Sequence, residues 1–268
     1  MPHPLEQSDL LPAGPLRRLG RRLTLLPETD STNTWLLARA ETLEDGAVVL
    51  AEYQSAGRGR LGRQWHAPRG SSILMSVLLI ESADSALLPL ATAAASLAAV
   101  EAVEAETTCT PRLRWPNDIV VQQRKLGGVL AESRSITTAT GPARALVVGL
   151  GLNCYQQAGH FSRELADLAT SLEIECREPI SRAAIGRRLL QTLDRRLCDA
   201  ASRPDGPRRL LRDWAGRCDD IATRITLREG GRVVTGTVLD VVENGDLLVQ
   251  LDQGGRRRFE PATTTRIP

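Results

Sequence analysis

An apolar run, Ala47 to Ala51, leads directly into Glu52-Tyr53-Gln54-Ser55-Ala56-Gly57-Arg58-Gly59-Arg60-Leu61-Gly62-Arg63-Gln64-Trp65. Three glycines and three arginines fall within seven residues of this stretch, and Trp65 closes it. Glycine lets backbone N–H groups approach an oxyanion closely, and arginine adds a planar, permanently charged fork for phosphate or carboxylate. The chemistry on offer is anion binding. The stretch lacks the terminal Gly-Lys-Ser/Thr of a P-loop and the spacing of a dinucleotide fingerprint, so neither of those phosphate mechanisms transfers. By residue type alone it serves equally as a cradle for a small anionic substrate or as an Arg-Gly loop that holds RNA phosphates.

Three other stretches carry polar groups at suggestive spacing: Asp30-Ser31-Thr32-Asn33-Thr34-Trp35, Arg114-Trp115-Pro116-Asn117-Asp118 and Arg124-Lys125-Leu126-Gly127-Gly128. Each has a plain structural account. Ser31-Thr32-Asn33 is ordinary helix-cap chemistry, Pro116-Asn117-Asp118 is turn chemistry, and Trp65 suits a core. Lys125 has a signal of its own, because it is the single lysine of the chain. A compact ammonium fits between two oxygens where a guanidinium does not. The plain account is one surface lysine retained by chance.

Taken together and in this order, the four stretches resemble the biotin–protein ligases, clearly over about residues 25–155 and more weakly toward the C-terminus. The family pattern is a Ser-Thr-Asn segment, Gln-x-x-Gly-Arg-Gly-Arg-x-Gly-Arg-x-Trp, Lys-Trp-Pro-Asn-Asp, and a lysine before a small-residue turn. The resemblance implies an α+β fold, with a mixed, mainly antiparallel sheet and helices in a class II aminoacyl-tRNA-synthetase-like catalytic domain, then a small SH3-like β-barrel. It implies ATP, accompanied by Mg²⁺, as the activator of biotin, and a biotin carboxyl carrier domain as acceptor of the biotinyl group through a lysine. Catalytic roles then fall on Lys125, Arg58 and Asp118. Arg58 and Arg60 face the biotin carboxylate and the α-phosphate, with amides around Gly57 and Gly59 as further donors. Gln54 and Ser31-Thr32-Asn33 hold the biotin head, Arg63 braces the loop or reaches phosphate, and Trp65 packs on adenine or valeryl carbons. Lys125, beside Gly128, contacts carboxyl and phosphate oxygens. Asp118 orients the acceptor lysine or takes its proton, and Asn117 supports the turn or the adenylate. Arg114 departs from the family, which has lysine there. A lipoate–protein ligase is the related alternative, and an RNA-binding module the non-enzymatic one.

Composition narrows the classes. The chain has 268 residues, 42% hydrophobic and 25% charged, as ordinary globular proteins do. A net charge of +2 and only four Trp, two Tyr and two Phe argue against the RNA reading. Cys109, Cys154, Cys176, Cys198 and Cys218 are scattered and odd in number, which suits a reducing cytoplasm. His3, His66 and His160 do not join them at metal-ligand spacing, and no carboxylate cluster announces a protein-built metal site. Arg21-Arg22 precedes an apolar run that stops at Pro27, too short for an export signal. Leu87 to Val100 is too short and Ala-rich for a membrane span and reads as a buried helix.

The elements that must position these groups follow from pattern. Residues 1–22, with four prolines in the first twenty, read as a loose arm. An arm that short leaves no room for the DNA-binding domain that some of these ligases carry, so the expected form is ligase-only, without DNA binding, and compatible with a homodimer. The expected catalytic domain is 23–218: a helix from Asp30 to Leu43, a strand 47–52, a strand Ser71–Ile80 and a helix 86–106. A hairpin about Pro116-Asn117-Asp118 follows, then strands Leu126–Glu132 and Ala145–Asn153. In the last of these Gly149 and Gly151 alternate, leaving one face bare for a flat ligand. Residues 155–215 read as helical, with Ile185, Leu189, Leu193 and Leu197 as the packing stripe. Short strands Ile221–Leu227, Val233–Val242, Leu247–Leu251 and Arg256–Phe259, joined by Gly-rich turns, make the expected SH3-like unit, 219–268.

Overall fold

The computed structural model describes residues 4–12, 14–82, 85, 90–139 and 141–267, without the side chain of Glu243. In chain order these form α1 (Gln7–Leu10), β1 (Leu23–Leu26), α2 (Thr32–Arg39), β2 (Val48–Ala51), β3 (Ser72–Glu81), α3 (Ala91–Glu106), β4 (Arg112–Arg114) and β5 (Asp118–Val121). Then come β6 (Arg124–Thr138), β7 (Gly141–Asn153), α4 (Leu172–Glu175), α5 (Arg182–Ser202) and α6 (Gly206–Ala215). The chain ends with β8 (Arg224–Glu229), β9 (Arg232–Val241), β10 (Leu247–Leu251), β11 (Arg256–Phe259) and β12 (Thr264–Ile267).

Two sheets result. The larger has seven strands in the order β1-β2-β3-β7-β6-β5-β4, parallel only between β1 and β2. A parallel pair needs a crossover, and α2 supplies it. Alternation along β3 and β7 sorts two apolar faces. Ile73, Met75, Val77, Leu146, Val148, Leu150 and Leu152 join one core with the Ala-rich α3 and with Ile185, Leu189, Leu193 and Leu197 of α5. Val49, Leu78 and Val147 point the other way and pack with Leu36 and Ala40 of α2. Beyond α2, that second face is left to the site.

The smaller sheet is antiparallel throughout, in the order β11-β10-β9-β8-β12, around buried Ile225, Val238, Leu247 and Phe259. It docks on the β4–β5 turn. Trp115 donates from its backbone N–H to Asp220 Oδ2 at 2.8 Å and from Nε1 to the Gly245 carbonyl at 3.0 Å. Asp220 in turn meets Arg266 at 2.9 Å. The peptide bond between Trp115 and Pro116 is cis.

Several expectations need correction. The described part of 1–22 is tied down rather than loose. Leu10 and Leu19 are buried, and buried Asp194 accepts three backbone N–H bonds, from Arg17, Arg18 and Leu19, each at 2.8 Å. The helix expected from Asp30 to Leu43 is confined to Thr32–Arg39, and residues 86–89 of the helix expected over 86–106 lie outside the described residues, as do 1–3 and 13 of the arm. Strands β1 and β12 were not expected. Residues 161–171, read as helical, are a loop whose Leu168 and Thr170 pair with the backbone of Lys125. Arg188 and Arg195 on the exposed side of α5 meet Glu106 and Glu101 of α3 at 3.1 and 2.6 Å. No helix among the described residues is long and apolar enough to cross a membrane.

One ion pair holds the strand that launches the Arg-Gly stretch. Arg182, 2% exposed, grips both oxygens of Glu52 at 2.8 and 2.9 Å, and Glu52 Oε1 also accepts the Leu5 N–H at 2.7 Å. Removing one partner strands a buried charge. Glu52→Ala should lower unfolding free energy by about 3–5 kcal/mol in urea titration. A loss below about 1 kcal/mol would mean that water reaches the guanidinium.

Candidate active site

The first two polar stretches meet because the β1–β2 parallel pairing runs on past the strands. Thr29 N–H bonds to the Tyr53 carbonyl at 3.2 Å, Ser55 N–H to the Thr29 carbonyl at 2.9 Å and Ala56 N–H to the Asp30 carbonyl at 2.9 Å. Ser31 is the N-cap of α2, yet its side chain accepts no bond from the helix. The orphan Thr32 N–H instead donates to Gln54 Oε1 at 2.8 Å, and the Thr32 hydroxyl reaches the same oxygen at 3.0 Å. Ser31, Thr32 and Asn33 are all buried.

Asn33 turns down onto the sheet. Its Nδ2 donates to the Leu130 carbonyl at 3.1 Å and to Glu132 Oε2 at 2.9 Å, and its Oδ1 lies 2.7 Å from the Ser76 hydroxyl. A Cβ at Gly149 would sit 2.1 Å from Asn33 Oδ1, and one at Gly151 would sit 2.6 Å from the Trp65 ring. The bare face read from these glycines is therefore occupied by Asn33 and Trp65. Side chains from two other segments, rather than open sheet, line that part of the floor.

From Gly57 to Trp65 the Arg-Gly stretch closes on itself. Trp65 N–H bonds to the Gly57 carbonyl at 2.9 Å and Gly59 N–H to the Arg63 carbonyl at 2.8 Å. At the tip Leu61 has φ 54° and is exposed, and Gly62 has φ 76°. Arg58 meets Glu132 Oε1 at 2.7 Å. Arg60 points toward the smaller sheet, donating to the carbonyls of Pro261 and of Thr264 (3.1 Å) and to Asn117 Oδ1 at 3.3 Å. Burial pushes the Arg60 pKa down; Asp118 opposes this and the Arg63 charge adds to it.

Lys125 reaches the same cavity because of a register shift. β5 and β6 join through Gln122 and Gln123, both at positive φ, as a two-residue twisted hairpin requires. Asp118 pairs with Gly128 and Val120 with Lys125, so one extra residue on β6 lets Lys125 and Gly128 share the Asp118 face. Lys125 Nζ then lies 2.6 Å from Asp118 Oδ1 and 5.9 Å from the Trp65 ring centre. Arg114 meets the other Asp118 oxygen at 3.1 Å. Burial raises the Asp118 pKa, but the Lys125 and Arg114 charges outweigh it and hold the carboxyl below the usual range. Asn117 closes the turn, its Nδ2 donating to the Val129 carbonyl at 2.7 Å.

These groups surround one cavity of about 370 Å³. Ser31, Thr32, Asn33, Gln54, Arg58, Gly59, Arg60, Arg63, Trp65, Asn117, Asp118, Lys125 and Gly128 all line it; Gly57 stands just behind, packed against Gln54 and Trp65. Sequence reading missed Glu132 and Ser76, which lie in unremarkable strands, and Phe161, Leu165 and Leu168 of the loop at the cavity wall. Arg266 of β12 also lines it. Among the described residues no group of three or more His, Cys, Asp or Glu side chains is placed to hold a metal.

Residues 25–153 match the Biotin/lipoate A/B protein ligase family. A Mycobacterium tuberculosis protein named biotin–[acetyl-CoA-carboxylase] ligase is 34% identical over 243 residues, covering 88% of this chain and 85% of its own. A Bacillus spizizenii protein named bifunctional ligase/repressor BirA is 32% identical over 215 residues, and the match spans 80% of this chain but 65% of that longer relative. Among solved structures, the biotin protein ligase from Aquifex aeolicus in complex with biotin and ATP superposes with a TM-score of 0.76 at 25% identity, over 92% of this chain and 99% of that one. An α+β chain with a mixed sheet, a second antiparallel sheet and a cation-rich cavity is of the protein-ligase class. It belongs to the biotin/lipoate protein ligase family.

Two outcomes test the geometry. Gly149→Ala should cost about 1–3 kcal/mol of stability in urea, because Asn33 must leave its three partners. The cost should vanish in an Asn33→Ala background. Asp118, with its depressed folded pKa, stabilises the fold above the ordinary aspartate value of about 3.9, and this contribution is lost as pH falls through the folded value. The stability difference between wild type and Asp118→Asn should therefore shrink steadily below about pH 4. A difference that grows with acid would reverse the assigned shift.

Proposed function

We propose that this chain is an ATP-dependent ligase that activates biotin as biotinyl-5′-AMP and passes the biotinyl group to a lysine of a biotin carboxyl carrier domain. The observation that carries the reading is the single cavity in which Arg58, Arg60, Arg63 and Lys125 converge beside the polar Ser31-Thr32-Gln54 end. Family membership, and the likeness to proteins named as biotin ligases, point the same way.

A carboxylate cannot acylate an amine until one oxygen becomes a good leaving group. One oxygen of biotin attacks the α-phosphorus, the bond to the bridging oxygen breaks, and pyrophosphate leaves. The acceptor amine then attacks the acyl carbon, a C–N bond forms, AMP leaves with the C–O electron pair, and the proton lost from nitrogen passes to solvent water. Both nucleophiles belong to substrates, so the protein supplies position and positive charge.

Roles follow from the cavity wall. Lys125, a point charge steadied by Asp118, suits the place between carboxyl and phosphate oxygens. Arg58 and Arg60 add guanidinium donors to the same anions, and the Thr32 and Gln54 groups suit the ureido end. A depressed pKa makes Asp118 a weak base, so it orients the incoming ammonium rather than taking its proton. Mg²⁺ would arrive on the ATP phosphates and offset their charge, and no step is assigned to it. On this reading residues 23–218 carry the chemistry and 219–268 brace it through Arg60.

Biotin-dependent exchange of pyrophosphate into ATP tests the proposal. Wild type should exchange with biotin and not with lipoate; exchange with lipoate alone would make it the sister ligase, and none with either acid would overturn the reading. Lys125→Arg should keep the fold yet lose about 100-fold in exchange rate, because a wider, planar cation displaces the reacting oxygens by about 1 Å. Wild-type exchange in that variant would remove Lys125 from the chemistry.

A further inference from the structure

Glu132 stands on β6 behind the cavity wall, and its two carboxylate oxygens are used by two different segments. Oε2 accepts from Asn33 Nδ2 at 2.9 Å, and Oε1 meets the Arg58 guanidinium at 2.7 Å. Asn33 belongs to the first turn of α2, while Arg58 belongs to the Arg-Gly stretch. The two ends of this bridge differ in firmness. Asn33 is 3% exposed and held at three points, whereas the Arg58 side chain is 48% exposed, with Thr34 Oγ1 at 3.5 Å as its other neighbour. Glu132 is thus fixed on the sheet side and grips the movable partner on the other.

Arg58 lines the cavity and Glu132 does not. A guanidinium carries five N–H donors, and one carboxylate oxygen leaves most of them free. Holding one amino group from behind restricts where the remaining donors can turn. It also removes rotamer freedom that an exposed arginine would otherwise lose on meeting its anion.

We infer that Glu132 is a positioning residue: it orients Arg58 toward the anion bound in the cavity and holds the Arg-Gly stretch against the sheet. The inference rests on the ligase reading for its kinetic consequence, and on geometry alone for its conformational one. Charge-assisted bonds of this kind are short and directional, so the group must be a carboxylate or a close isostere.

The experiment combines exchange kinetics with limited trypsin digestion of the full-length protein. Trypsin cuts after arginine, and Arg58, Arg60 and Arg63 lie within the stretch, so cleavage there reports its opening. Glu132→Ala should keep the wild-type melting temperature within a few degrees and lower the kcat of biotin-dependent exchange about 10- to 100-fold with a smaller change in KM. It should also speed cleavage in the 58–63 segment several-fold. Glu132→Gln, which still offers one acceptor oxygen, should recover most of the exchange rate and slow the cleavage again. In an Arg58→Ala background, Glu132→Ala should cost little more, because its action runs through Arg58. Losses that multiply in the double variant, or cleavage unchanged in Glu132→Ala, would overturn the assignment and leave Glu132 as a support for Asn33 alone. If wild type exchanged no pyrophosphate, the ligase reading would fall, and the trypsin comparison would still decide whether Glu132 holds the stretch.

Discussion

No side chain fits at residues 149 and 151, and the site depends on that. The Asn33 amide oxygen sits where a Cβ of residue 149 would be, and the Trp65 ring where one of residue 151 would be. Asn33 locates the start of α2, and Trp65 ends the Arg-Gly stretch that lies over the same sheet. Both are thereby seated directly on β7, the central strand. A side chain at either glycine would lift one wall of the cavity away from its floor. Interiors are packed too tightly for such a shift to stay local.

Seated this close, the cavity's cations need partners. Four of them have one: Glu132 for Arg58, the main-chain carbonyls of Pro261 and Thr264 for Arg60, and a shared Asp118 for Lys125 and Arg114. Arg63 has no side-chain partner among the described residues. The arrangement sets positive charge at a cavity wall without leaving the groups to repel one another. It also joins the smaller sheet to the chemistry, since an arginine of the Arg-Gly stretch is bonded to the backbone of residues 261 and 264.

Much of this was legible in the sequence where local chemistry decides the outcome. The Gly-Arg pattern, the Pro-Asn-Asp turn, the stripe on α5 and the strands of the smaller sheet each carry their signal within a short window. β1 escaped notice because three leucines and a threonine ahead of a proline are too short a run to show a period, and their partner is a parallel strand across a crossover. β12 escaped because Thr264-Thr265-Arg266-Ile267 holds one apolar residue, and the residue it buries is a threonine. Glu132 was invisible for another reason. A carboxylate in a strand shows nothing of what it touches, and its two partners lie 74 and 99 residues away in the chain. The glycines of β7 were read as open space, and only the fold reveals that Asn33 and Trp65 fill it.

The chain holds 34 lysines and arginines together, and one is a lysine. Its single ε-amine lies inside the cavity, 2.6 Å from a carboxylate, while the outer surface is charged by guanidinium groups. Arginine is a poor nucleophile toward activated acyl groups, and an unprotonated lysine is a good one. A protein proposed to make an amine-seeking acyl donor thus carries no lysine side chain on its exterior for a stray molecule to mark. Such a surface offers no lysine to its own product, and outside the cavity the acyl group finds a lysine ε-amine only on another protein.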